Sequence, residues 1–148
     1  MTPMTREWVD KAEADFATAG RELRVRVAPN YDGVCFHAQQ SAEKHLKALL
    51  QETGQRFGKT HNLLDLIAAL MPAHPAFALL QPAAKVLNDY AVDFRYPGKT
   101  ADRVRARAAL AHCKLIRESV RRELGLPQLP AKRAKRKKPP SKRRGRKK

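Results

Sequence analysis

Cysteine is nearly missing from this chain. Cys35 and Cys113 are the two among 148 residues, far apart and without paired or zinc-type spacing. That excludes a disulfide framework and a cysteine metal cluster, and it fits reduced thiols in a cytoplasmic setting. Long apolar runs are missing too. No stretch of about 18 apolar residues occurs, so no membrane span is expected. The opening "MTPMTREWVDKAEADF" is acidic and amphipathic and lacks the apolar centre of a signal peptide. No segment alternates apolar and polar residues as a half-buried strand requires, and no internal repeat is visible. Histidine is scattered: His37, His45, His61, His74 and His112 show no ligand spacing. No metal site and no cofactor are therefore expected.

Acidic residues are absent from the last segment. "AKRAKRKKPPSKRRGRKK", residues 131–148, contains twelve basic side chains and no Asp or Glu. They are Lys132, Arg133, Lys135, Arg136, Lys137, Lys138, Lys142, Arg143, Arg144, Arg146, Lys147 and Lys148. The whole chain carries +17; removing these twelve leaves nineteen basic against fourteen acidic residues, a net +5. The segment has no hydrophobe larger than alanine, so it cannot offset the entropy of ordering. The expectation is a folded domain over 1–127 and a disordered Lys/Arg-rich tail over 128–148. Such a tail holds RNA or DNA through counterion release without reading sequence, or serves only solubility.

What is present reads as helix throughout, with alanine, leucine, arginine and lysine dominant. A first helix spans roughly Thr5–Arg24, with Trp8, Ala12, Phe16, Ala19 and Leu23 on one stripe. "APNYDG" breaks it. A second runs roughly from Gly33 to Thr53, with Gly54 as its stop. After "GQRFGKTH" comes a short helix, "NLLDLIAALM", ended by Pro72. A fourth covers about Ala76–Phe94, where Pro82 implies a kink or a restart. "RYPGKT" then turns the chain, Thr100 can cap, and a last helix runs from about Ala101 to Leu124. Its Arg103, Arg107, Lys114, Arg117 and Arg121 read as a solvated charged face. Short connections between such helices predict an all-α, up-and-down antiparallel bundle of about five helices.

Within the second helix, "CFHAQQSAEKHLKALL", Gln39 falls on the apolar stripe of Cys35, Leu46 and Leu50, and Glu43 lies at its edge. His37, Gln40, Lys44 and Lys47 group on a polar side. Burying an amide without a partner costs roughly 1–3 kcal/mol, and a carboxylate more. Gln39 and Glu43 therefore need partners: Asp15, Arg95, Tyr90 or Tyr96 from other helices, a second subunit, or Lys47 at helical spacing. Gln39, Gln40, Glu43, Lys44, Tyr96 and Asp15 are the candidate ligand- or partner-facing residues.

That stretch, followed by "THNLLDLI" and "DFRYPGK" and preceded by Trp8, Ala12 and Asp15, resembles the HEPN domain, over about residues 5–125. The resemblance implies a helical bundle that commonly forms a homodimer, often encoded beside a minimal nucleotidyltransferase as a toxin–antitoxin pair. Many members are metal-independent endoribonucleases. Their activity motif is an arginine followed, after four to six residues, by a histidine near the start of the last long helix. Here Arg95 takes the arginine's place, but residues 100–102 are Thr100, Ala101 and Asp102. The spacing recurs at Arg56–His61, Arg107–His112 and Arg105–His112, and about two such pairs are expected by chance. Cleavage of RNA by its own 2′-hydroxyl needs a base and a cation on the phosphate. Arg95 and His61 are the candidate catalytic pair, His61 because it matches the family's histidine before the short helix. A capping role for His61 stands beside the catalytic one. The reading that follows is a nucleotide- or RNA-associated binding and regulatory module, with an active endoribonuclease or a tail-driven nucleic-acid binder as alternatives.

Overall fold

The second helix is the axis around which the others pack. The computed structural model describes residues 1–128, so the basic residues expected at 132–148 lie outside the described part. Five α-helices occur there: α1 (Pro3–Leu23), α2 (Tyr31–Glu52), α3 (Leu63–Leu70), α4 (Gln81–Asp93) and α5 (Arg103–Glu123). A 3-10 helix, Pro75–Leu80, precedes α4, and no strand is present among the described residues. The all-α, up-and-down antiparallel bundle expected from the sequence is what forms. The α1–α2 pair is antiparallel: Thr2 meets Glu52, Glu13 meets His45 and Asp15 meets His37. No helix among the described residues is long and apolar enough to cross a membrane.

Local signals set most boundaries. Asn30 caps α2 by accepting from the Gly33 N–H at 2.8 Å, which starts the helix two residues before the predicted position. Gly54 ends it at φ +70°, and the Gln55 N–H returns to the Leu50 carbonyl at 3.0 Å. Pro82 marks a restart rather than a kink, because the 3-10 helix ends at Leu80 and α4 begins at Gln81. The start of α5 is shifted from Ala101 to Arg103. Asp102, not Thr100, is its cap, accepting from the Arg105 N–H at 2.8 Å.

The core is built on leucines and closed by alanines. Leu46 and Leu50 of α2 meet Leu63, Leu66, Ile67 and Leu70 of α3, Leu87 of α4 and Ile116 of α5, all essentially buried. Each such side chain contributes roughly 1.5–3 kcal/mol of burial. Ala12, Ala19, Ala38, Ala42, Ala48, Ala106 and Ala109 are fully buried. Their small size lets α1 and α5 approach α2 closely, so α2 is enclosed on nearly every side. Cys35 and Cys113 are buried and unpaired, and desolvation pushes both thiols up to about 12. At neutral pH they are protonated and poor nucleophiles.

Candidate functional site

An enclosed helix must find internal partners for its polar side chains, and α2 carries Gln39, Ser41, Glu43, His45 and Lys47 in buried positions. They divide into two groups that face opposite ways.

The first group leads outward. Glu43 is buried, and its carboxylate accepts from Lys47 Nζ at 2.8 Å, from His61 Nδ1 at 3.0 Å and from Gln39 Nε2 at 3.2 Å. Gln39 also donates to the His61 carbonyl at 3.1 Å, while Gln40 donates to the Gln39 side chain at 2.8 Å. A carboxylate only accepts, so Nδ1 of His61 is the donor and Nε2 is left free. The ring itself is 75% exposed. His61 thus stands at the surface on a buried anchor. It lines a cleft of about 290 Å³ together with Gln39, Asn62, Asn88, Ala91, Val92 and Arg95. Asn88 holds the rim in place: its Oδ1 accepts from the Leu63 N–H and its Nδ2 donates to Asn62 Oδ1. Arg95 follows the end of α4 and is exposed.

The partners differ from those expected. Asp15, Arg95, Tyr90 and Tyr96 do not receive Gln39 or Glu43; the 54–62 connection and Lys47 do. Lys47, grouped by sequence with the polar side of α2, is buried. Trp8 of α1 and Phe57 of that connection close over it, with ring centroids 5.7 and 6.0 Å from Nζ. Its ammonium therefore sits between two aromatic faces and one carboxylate.

The second group leads inward. Glu13 of α1 accepts from Arg117 Nε at 3.0 Å and Arg121 at 2.9 Å, and His45 Nε2 lies 3.2 Å away. Arg117 also rests 4.5 Å above the Phe16 ring. Desolvation opposes the charge on Glu13, but the hydrogen bonds and charges of His45 and Arg117 outweigh it and bring its pKa down to about 2. This corrects the solvated-face reading of α5 for two of its five cations; Lys114 is exposed as expected. Arg117 is buried and Arg121 largely so, whereas Arg103 and Arg107 are exposed. No local signal marks Glu13 and His45, because their partners lie on other helices.

The remaining candidates are separate from the cleft beside His61. Asp15 pairs with His37 Nδ1 at 2.9 Å and with Lys44 on the α1–α2 surface. Tyr96 is exposed in the turn before α5 and lines neither of the two clefts beside Arg95. Where the family motif would place a histidine, Asp102 is spent as a helix cap; the Arg105 backbone bond leads the causes that lower its pKa. Of the other arginine–histidine spacings, the two on α5 are remote from this site: Arg105, Arg107 and His112 line neither cleft beside Arg95. Among the described residues no three His, Cys, Asp or Glu side chains gather closely enough to hold a metal ion.

Comparison with known proteins agrees with this architecture. No curated protein shows a significant match. A crystal structure of TT1696 from Thermus thermophilus superposes with a TM-score of 0.73 at 30% identity, covering 82% of this chain and 99% of that one. ST0689, described as an archaeal HEPN homologue, superposes with a TM-score of 0.65 at 23% identity, covering 81% and 97%. The HEPN domain model matches residues 5–123, from the first turn of α1 to the last residue of α5. With that span matched, the chain belongs to the HEPN domain family.

Proposed function

We propose that the cleft beside His61 binds the phosphate of a nucleotide or of single-stranded RNA, and that the chain acts as a binding and regulatory module. One observation carries the reading: Arg95 and His61, 34 residues apart in sequence, line one cleft, and His61 is held there by a buried carboxylate. Arg95 supplies the cation and the side-chain N–H groups of Asn62 and Asn88 donate to phosphate oxygens, while the free Nε2 of His61, an acceptor when Nδ1 carries the proton, suits a ribose hydroxyl, and Gln39 closes the inner wall. The test is fluorescence anisotropy of a short single-stranded RNA with the full chain, at salt high enough to screen the tail. Arg95→Ala is expected to weaken binding about tenfold or more, the value of one hydrogen bond to a charged group. His61→Ala is expected to weaken it less. Equal affinity in all three proteins would dispose of the site.

A second reading, metal-independent endoribonuclease, is favoured by the Glu43–His61 geometry. A carboxylate that fixes Nδ1 aims Nε2 at whatever occupies the cleft, as a general base requires. The same proteins on a denaturing gel separate the two readings. Cleavage that disappears in both Arg95→Ala and His61→Ala makes the chain an enzyme; intact RNA leaves it a binding module.

The partner reading extends this to a homodimer and to a minimal nucleotidyltransferase in a toxin–antitoxin-like pair. Membership of the HEPN family supports the pairing. Exposed Val104 and Leu115, spaced so that they share a face of α5 with Ala108 and Ala111, support a second protomer. Co-purification with the product of a neighbouring gene is the expected result, and a strictly monomeric, partnerless protein would overturn it.

A further inference from the structure

The larger of the two clefts has no role in the reading above. It encloses about 450 Å³, within the roughly 300–1,000 Å³ typical of small-ligand sites. Ala91 and Arg95 line both clefts, so the two adjoin at these residues. Their chemistries are unlike. One holds an imidazole, two asparagines and a glutamine. The other is walled by Phe36, Tyr90 and Phe94, with the Asp32 carboxylate and the His37 imidazole beside Arg95.

We propose that the two clefts take a single nucleotide, its phosphate at Arg95 and the asparagines, its ribose hydroxyl at His61 and its base among Phe36, Tyr90 and Phe94. The inference rests on the phosphate-binding reading and adds to it a base subsite and an orientation. Phe36 is 41% exposed although it sits on the helix that forms the fold's axis, and a base stacked on its ring covers that surface. His37 braces it edge-on at 5.3 Å, and Tyr90 and Phe94 stand 5.3 Å apart on the facing wall. Charge fixes the direction. The Asp32 carboxylate repels phosphate from the aromatic end, and Arg95 attracts it to the junction.

Asp32 also selects among bases. Its Oδ1 accepts from the Ala101 N–H at 2.7 Å, and its second oxygen has no hydrogen bond among the described residues. A carboxylate can only accept, so it favours a base edge that donates. Guanine, adenine and cytosine offer an exocyclic amine. Uracil offers one N–H between two carbonyl oxygens, which the carboxylate repels. The nucleotide taken is one with an amino-bearing base.

The experiment is calorimetric titration of the full chain with GMP, UMP and inorganic pyrophosphate, repeated in three variants. Basic residues of the tail contribute equally to wild type and variants, so the differences report the clefts. GMP is expected to bind about tenfold more tightly than UMP. Phe36→Ala should weaken GMP about tenfold and leave pyrophosphate unchanged, since Phe36 is exposed and carries no core contact that binding of pyrophosphate needs. Asp32→Asn keeps the acceptor for Ala101 but turns the free oxygen into a donor, and should erase the preference for GMP over UMP. Arg95→Ala should weaken all three ligands. If GMP and UMP bind alike and Phe36→Ala changes nothing, while Arg95→Ala still weakens pyrophosphate, the base subsite is overturned and the phosphate site stands. If Arg95→Ala leaves pyrophosphate binding unchanged, both fall together.

Discussion

Replacing Glu13 with alanine is expected to destabilise the fold by about 3–5 kcal/mol, the usual cost of stranding buried charges. Arg117 is buried, the His45 ring is fully enclosed, and Arg121 is largely so. All three converge on this one carboxylate, which itself is 27% exposed. By contrast, removing Arg105 from its exposed pair with Asp102 should cost far less, because solvent screens both charges and the Asp102 cap survives. Urea unfolding of Glu13→Ala and Arg105→Ala compares them directly, and a Glu13→Ala loss no larger than that of the surface pair would show that the network is dispensable. The pH dependence is a second check. The folded pKa of Glu13, about 2, lies below its ordinary value of 4.5. Its contribution is therefore complete above pH 4.5 and is lost as pH falls through 2, an acid-side decline of about 2–3 kcal/mol after allowance for its partial exposure. Glu13→Gln removes that decline, whatever stability it starts from.

The Glu13 cluster also shows where a sequence stops being informative. Caps and periods are local, so α2, α3 and the glycine at position 54 can be read from neighbouring letters. At the start of α5 the sequence offers Thr100 as the cap, but Asp102 takes the role. The Ala101 N–H between the two is held by Asp32 from 69 residues away, a contact that no local pattern announces. Gln39 and Glu43 stand out because they interrupt an apolar stripe, but what receives them is a connection whose course no periodicity predicts. Lys47 and Arg117 are the same failure in reverse. A cation on a helix reads as solvated, and only Trp8 and Phe57 over one, and Glu13 and Phe16 around the other, make it buried. Of the cleft, Arg95 and His61 are visible through the family resemblance, which matches their positions to the family's arginine and histidine. Asn88 is not, because an asparagine in mid-helix has no distinguishing neighbour; its significance lies in bonds to residues 62 and 63.

The other large effect is expected at Glu43. Glu43→Met leaves the Lys47 ammonium buried between Trp8 and Phe57 without a counter-charge, at a cost of about 3–5 kcal/mol. Lys47→Met alone should cost less, because Glu43 keeps Gln39, Gln40 and His61 as donors. The double variant is the informative one. Two methionines are close in length to the pair they replace, and thioether sulfur packs well against aromatic rings, so most of the lost stability should return. His61 does not recover its anchor in that protein. If Glu43 exists to aim the imidazole, a refolded and stable double variant will bind single-stranded RNA as weakly as His61→Ala does. Wild-type affinity in the double variant would instead make the buried pair a packing device and leave His61 to find its place unaided. The second substitution thus restores stability without restoring binding, a separation that a purely structural role for Glu43 does not allow.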